Sequence, residues 1–391
     1  MNILNKIKEL SEANFKEVQN LRRSLHKNPE LSFFEKKTQK FICDFLKKES
    51  IPFFKSKVGY GVVGLIEGKF PEKYCIGLRA DMDALPIQET NNVKYKSIIN
   101  GVMHACGHDV HMSCLMGAAK ILKSFKNSFH GTVKLIFQPA EEMIPGGAKQ
   151  MIDEGVLEDP NVNIMLAQHV SPEIKSGAVG MKEDMFMAST DEIYINIIGQ
   201  GGHAALPSKN INPILIASKV ILTLNEFFLS QKEENVFSIG YIEAKGSTNI
   251  IPDQVELKGT FRAMDEDFRR KSHSSIKNII EEISSSFGAS FKLNIKKGYP
   301  YLQNNIELTN KIFNYSKQYL GNENVFKIEK RMTGEDFAYF SLARPSCFYR
   351  LGVGGEDVKN LHTSVFDIDE DSLKIGVGLL VWNTLSILEN I

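Results

Sequence analysis

The sequence has no charge bias: Lys plus Arg number 47, and Asp plus Glu also number 47. With no basic excess and no long run of one sign, it lacks the footprint of a protein that binds nucleic acid or an anionic membrane surface, and neither partner is expected. Long apolar runs are missing too. The most apolar late stretch, residues 375–382, falls well short of the roughly 20 residues that cross a bilayer. Residues 1–28 space their apolar side chains among Lys6, Lys8, Glu9, Glu12, Lys16 and Glu17, the pattern of an amphipathic helix rather than a secretory leader. Cysteine is sparse. Cys43, Cys75, Cys106, Cys114 and Cys347 are odd in number and scattered, which argues against a disulfide framework and for a reducing, cytoplasmic setting. Three hydrolase signatures are absent as well: the Gly-x-Ser-x-Gly elbow, the His-Glu-x-x-His helix and the Walker phosphate loop. The glycines of Gly199-Gln200-Gly201-Gly202-His203 are wrongly spaced for a dinucleotide fingerprint.

What remains is an ordinary globular composition, 42% hydrophobic and 24% charged over 391 residues, which is more chain than one core usually serves. Residues 34–48 read as a helix, 61–67 and 74–80 as strands, 110–125 as a helix, and 132–138 and 164–168 as strands. That alternation predicts a mainly parallel α/β sheet. Residues 191–198, 213–229, 236–243, 254–263, 268–287 and 290–295 then read strand, helix, strand, strand, helix, strand, the ferredoxin-like order. The expected layout is a catalytic domain of residues 1–184 plus 299–391, interrupted by a ferredoxin-like (βαββαβ) domain over 185–298.

The chemistry concentrates in a few places. Met103-His104-Ala105-Cys106-Gly107-His108-Asp109-Val110-His111 packs three imidazoles and a thiol into one segment. Such donors suit Zn, Mn, Co or Ni better than Ca or Mg. A helix start beside a buried, inert cysteine is the plainer alternative, and His104 and His111 fit equally as groups that orient the ligands. Glu141 and Glu142 follow the apolar run 132–138, where one carboxylate can bind a cation while its neighbour moves a proton; a solvated pair in a loop is the alternative. Asp81 and Asp83 follow the strand 74–80, and His169 ends the run 164–168. All of these fall at strand ends or a helix start, where open α/β sheets bind ligands.

Taken together these residues resemble the M20 peptidase family, in its amidohydrolase branch of hippurate hydrolases, aminoacylase-like enzymes and plant auxin-conjugate hydrolases. The resemblance covers nearly the whole chain. It begins with Arg22-Arg23-Ser24-Leu25-His26-Lys27-Asn28-Pro29-Glu30-Leu31-Ser32 and Arg79-Ala80-Asp81-Met82-Asp83-Ala84-Leu85-Pro86, and it continues through the His104–His108 and Glu141/Glu142 motifs. Gly201-Gly202-His203-Ala204-Ala205, Asn249-Ile250-Ile251-Pro252-Asp253, Thr333-Gly334-Glu335-Asp336-Phe337 and Leu361-His362-Thr363 complete it.

The resemblance implies two divalent metal ions per subunit, Mn2+ or Zn2+ first and Co2+ or Ni2+ after them, held by Cys106, His108, Glu142, His169 and His362. Cys106 takes the place of a bridging aspartate, and Asp81 that of a first metal-binding histidine, for which His108 compensates. Glu141 is the implied general base and acid, and Asp83 orients a ligand. The inserted domain is the implied lid and dimerisation domain of a homodimer. Its His203 stabilises an oxyanion in its own or the partner's site, and Asn249 and Arg262 contact the substrate carboxylate. The implied reaction is hydrolysis of the acyl–amide bond of a small N-acyl amino acid. Alternatives are an N-acetyl-diaminopimelate-type deacetylase, a small dipeptidase, a hydrolase with Cys106 as nucleophile, and an inactive metal- or ligand-binding dimer. Phe186, Met187 and Met143 are candidates for lining the substrate pocket or for plain core packing.

Overall fold

The structure is a computed structural model that describes residues 2–57, 59–356 and 359–389. The chain divides into two compact units. The first is Met1–Asp184 with Gln303–Glu329 and Asp336–Ile391; the second is Met185–Leu302 with Lys330–Glu335.

An eight-stranded sheet forms the first unit, in the order Phe53–Lys55, Val62–Glu67, Thr132–Gln138, Cys75–Asp81, Ile164–Lys175, Ser346–Gly354, Val179–Met181, Val325–Lys327. The four inner strands, Thr132–Gln138 to Ser346–Gly354, are mutually parallel. Antiparallel pairs flank them on both sides. Three of the inner strands, Thr132–Gln138, Cys75–Asp81 and Ser346–Gly354, are buried at every position, as strands covered on both faces must be. Lys134 sits in one of them. Its Nζ donates to the carbonyls of Val156 (2.9 Å), Glu158 (2.7 Å) and Pro160 (2.9 Å), so the buried ammonium is satisfied. The helices Ile3–Lys27, His108–Ser124 and Ser372–Glu389 pack against one another. The middle helix is buried almost all round, matching its near-continuous apolar sequence. The carboxyl ends of the parallel strands share one edge, and Asp81 and Gln138 end two of them in register.

The second unit is a four-stranded antiparallel sheet, ordered Asn235–Glu243, Gln254–Ala263, Asp191–Ile198, Ser290–Lys297, with the helices Pro213–Leu229 and Glu266–Ser286. Ile193, Ile195 and Ile197 face the helices, while Glu192, Tyr194 and Asn196 alternate away from them. This is the ferredoxin-like order that the sequence predicts. Buried Arg269 ties the unit's ends together. It binds Asp191 through Nε (2.9 Å) and Nη2 (2.5 Å) and donates to the carbonyls of Thr190 (2.9 Å) and Gly298 (3.2 Å). All five cysteines are buried and free. No helix among the described residues is long and apolar enough to cross a membrane.

Candidate metal centre

The centre is built on the carboxyl edge of the first unit. The loop 103–107 ends at Gly107, whose φ of +80° lies in the left-handed region and turns the chain into the helix starting at His108. A Cβ at Gly107 would stand 2.4 Å from Val170 Cγ2. Gly107→Ala is therefore expected to destabilise the fold by at least about 1 kcal/mol in denaturant titration and to lower metal content with it. The turn presents Cys106 and His108 toward His169, in the strand Ile164–Lys175, and toward His362. His362 adopts φ +59° and is pinned by its N–H donating to the Ala105 carbonyl (2.8 Å).

Cys106 Sγ lies 3.5 Å from His169 Nε2 and 3.3 Å from His362 Nε2. Glu142 Oε1 lies 3.5 Å from His362 Nε2 and 3.9 Å from His108 Nε2. Among several possible donor groups, Cys106/His108/His169 and Cys106/Glu142/His362 share one atom, each with its ligand atoms within 4.8 Å of one another; His108 also groups with Glu141 and Glu142, and with Asp81 and His111. Ring hydrogen bonds select the nitrogens that face inward. His108 Nδ1–H donates to the Asp83 carbonyl (2.9 Å) and His169 Nδ1–H to the Val170 carbonyl (2.8 Å), which leaves both Nε2 atoms toward the centre. His108 Nε2 and Glu142 Oε1 are buried with no hydrogen-bond partner, a costly arrangement that a cation would relieve. The residues fit a divalent metal of the Zn, Mn, Co, Ni group.

The electrostatics point the same way. Burial, reinforced by Glu142, Glu141 and Asp81, pushes the Cys106 thiol well above its usual range. Burial opposes a charged His108, yet Asp81, Asp83 and Glu142 outweigh it and push that ring up to about 10. Burial, then Arg350, holds His169 neutral. The pocket is strongly negative, and a divalent cation would deprotonate the thiol and claim the His108 lone pair.

Asp83 is the organiser. Its Oδ1 accepts from Glu141 N–H (3.0 Å) and its Oδ2 from Glu142 N–H (2.9 Å) and Ser32 Oγ (2.6 Å), while Oδ1 also stands 3.3 Å from His108 Nδ1. One carboxylate thus fixes both glutamates and a ring. Glu141 is buried, and its carboxylate lies within 4.8 Å of the ligand atoms of His108 and Glu142. Asp81 is engaged by Arg79 Nη1 (2.6 Å) and by His111 Nδ1 (2.5 Å). His111 Nε2 accepts from Val170 N–H (3.0 Å), so this histidine orients Asp81 and has no lone pair left for a metal. His104 is buried, held neutral at about 4 by burial, with no hydrogen bond to either nitrogen.

Sequence reasoning missed several supports. Ser32 and Glu35 reach Asp83 and Ala140 N–H (2.8 Å), and burial followed by Asp83 pushes the Glu35 carboxyl up to about 7. Arg79 and Gln138 meet Asp336 (2.9 and 2.8 Å) behind Asp81. Arg22 and His26 each hold Asp109 Oδ2 at 2.8 Å, next in sequence to His108. The spacing of Arg22 and His26 by one helical turn is the available signal.

The remaining predicted residues lie in the second unit. His203 is exposed in the short pairing of Gly202–His203 with Ile250–Ile251, and its Nδ1 accepts from Ala205 N–H (3.1 Å). Asn249 is exposed in the adjoining loop, where its main-chain carbonyl accepts from Ala204 N–H (3.0 Å). Arg262 is half-buried and is not with them. It sits against Gly334, near the far end of the strand Gln254–Ala263, whose first residue adjoins the His203 end. At about 3.3 Å per residue that is about 26 Å of strand. Phe186 and Met187 are buried, as plain core packing would have them, whereas Met143 is exposed.

A thiol, imidazoles and carboxylates converging at the carboxyl edge of a mainly parallel sheet mark the class of metal-binding α/β hydrolases. The chain belongs to Peptidase family M20/M25/M40, whose model matches residues 77–382, and it is an amide-bond hydrolase of that family. It is 36% identical to N-acetylcysteine deacetylase of Bacillus subtilis, covering 95% of this chain and 97% of the relative. It is 37% identical to thermostable carboxypeptidase 2 of Saccharolobus solfataricus, covering 91% of each. Its fold matches a Bacillus subtilis structure described as a dinuclear metal-binding M20 peptidase. That match has a TM-score of 0.82 and 32% identity over 97% of this chain and 100% of the other.

Proposed function

We propose that the protein hydrolyses the acyl–amide bond of N-acyl amino acids, with two divalent cations held by Cys106, His108, Glu142, His169 and His362. The observation that carries this reading is that two groups of possible ligand atoms share Cys106, whose thiol would be available to both. Bound there, the cations supply Lewis-acid polarisation of the scissile carbonyl and lower the pKa of the attacking water. Glu141, fixed by Asp83, takes the proton from that water and delivers it to the amine nitrogen as the C–N bond breaks. Asp83 positions; it does not react. His203 donates to the developing oxyanion. Asn249 and Arg262 receive the substrate carboxylate, for which the guanidinium fork is suited.

The test is a hydrolysis screen with metal-stripped protein reconstituted with Mn, Zn, Co or Ni. Its substrates are N-acyl amino acids, N-acetyl-diaminopimelate and dipeptides, the last because one relative is named a carboxypeptidase. Metal-restored cleavage of N-acyl amino acids above the other classes is the expected result. Cleavage by the stripped protein, or of dipeptides alone, would overturn it.

The homodimer in this reading rests on the helix Pro213–Leu229. Leu215, Leu222 and Leu229 recur every seven residues and are all more than half exposed, a stripe that a second copy of the same helix covers isologously. Asn249, beside the His203 end of the strand Gln254–Ala263, and Arg262, near its other end, would meet one carboxylate only if they came from different protomers of the pair. Leu222→Glu is expected to yield a folded monomer in sedimentation analysis; an unchanged dimer would remove this helix from the interface.

A further inference from the structure

We infer that Glu35 is a positioning residue for Glu141: by holding the Ala140 N–H it sets the turn from which the general base is presented. This inference rests on the role given to Glu141 above and adds a second carboxyl to the one that fixes it. Three consecutive backbone amides, those of Ala140, Glu141 and Glu142, each donate to a carboxyl oxygen of a buried side chain. Asp83 takes the last two, through Oδ1 (3.0 Å) and Oδ2 (2.9 Å), and Glu35 Oε1 takes the first (2.8 Å).

The conformation of Ala140 gives the first of these bonds its weight. Its φ is +53°, in the left-handed region that a Cβ disfavours. Such a conformation persists only where the surroundings hold it. Here both polar groups of the residue are engaged: Glu35 takes its N–H, and its carbonyl accepts Gly147 N–H (3.0 Å). Glu35 is placed in turn at the start of the helix Lys36–Lys48, where its carbonyl accepts Gln39 N–H (2.8 Å). Without the Glu35 acceptor, Ala140 would combine a disfavoured φ with a buried, unpaired N–H, and the turn would relax. The next residue along is Glu141.

The Glu35 carboxyl is otherwise an expense to the fold. It is fully buried, its Oε2 makes no hydrogen bond among the described residues, and burial followed by Asp83 pushes it up to about 7. Oε1 accepts from Ala140 whether or not the carboxyl carries a proton, so a neutral glutamine can serve in its place.

The test measures kcat, KM, metal per chain and amide exchange on the Mn- or Zn-reconstituted protein. Glu35→Asp keeps the carboxyl but falls one methylene short of Ala140, and Glu35→Met keeps the volume but has no acceptor. Both are expected to lose between about 10- and 100-fold in kcat, with KM within about twofold of wild type and metal content unchanged. Glu35→Gln keeps the acceptor and is expected to stay within about threefold of wild type in kcat. Thr38→Val cuts the bond from Thr38 Oγ1 to Glu30 (3.0 Å) near the start of the same helix and leaves kcat where it was. Amide exchange over residues 139–142 is expected to quicken in Glu35→Asp and Glu35→Met and not in Glu35→Gln. An unchanged kcat in Glu35→Asp, an equal fall in Glu35→Gln or Thr38→Val, or a fall that comes with lost metal overturns the inference. Absence of any N-acyl hydrolysis by the wild type strikes the amidohydrolase reading instead, and the exchange pattern then still decides whether Glu35 holds the turn.

Discussion

Glu141→Gln is expected to keep its full complement of metal and lose between about 10²- and 10⁴-fold in kcat, the range a positioned general base supplies. Glutamine has nearly the same shape and can still occupy the space within 4.8 Å of the His108 and Glu142 ligand atoms. It cannot accept the proton of the attacking water, nor return one to the leaving nitrogen, so both halves of the reaction suffer from one change. The backbone around it is held independently: Asp83 takes the Glu141 N–H at 3.0 Å and the Glu142 N–H at 2.9 Å whatever side chain stands at position 141. Folding and metal loading are therefore separable from chemistry. Glu142→Gln is the contrast. Its Oε1 faces His108 and His362 with no hydrogen-bond partner, so that substitution is expected to lower metal content first and activity in consequence. Metal per chain by mass spectrometry, beside kcat, separates the two. Normal turnover in Glu141→Gln would take proton transfer away from this residue.

The second large effect concerns Cys106. Replacement by alanine removes the atom common to both donor triads, and the variant is expected to lose bound metal and at least about 10³-fold in activity. Cys106→Asp restores an anionic donor of similar reach and is expected to regain metal and a measurable part of the rate. A mechanism with Cys106 as nucleophile predicts otherwise. Aspartate would then be as inactive as alanine, and wild-type protein quenched during turnover would carry an acyl mass on the thiol. The structure speaks against a free nucleophile. Burial and three neighbouring carboxylates raise the thiol, where reactive thiolates need positive surroundings.

Local pattern carried much of the architecture. The alternation of Ile193, Ile195 and Ile197 with polar residues is legible because a half-buried strand has a period of two. Val179–Met181 and Val325–Lys327 are too short to show any period and went unread. The strand at Ile164 runs on to Lys175, past His169; buried Ser171 and exposed Glu173 and Lys175 interrupt the apolar run and hide its length in the sequence. At the centre, donors clustered in sequence stood out because thiols and imidazoles are chemically conspicuous. The groups that hold Asp83 and the glutamate loop did not. The contact of Ser32 with Asp83 spans 51 residues and that of Glu35 with Ala140 spans 105, and nothing local encodes either. Apolar side chains are the least legible. Phe186 and Met187 looked equal to Met143 as pocket candidates, and only tertiary packing separates the buried pair from the exposed one.

The most direct test of the account is an anomalous-scattering map from crystals of the Mn- or Zn-reconstituted protein. Two peaks per chain are predicted, both within about 2.5 Å of Cys106 Sγ, one shared with His108 and His169 and the other with Glu142 and His362. A single peak, or two peaks that leave the Cys106 thiol uncoordinated, would contradict it.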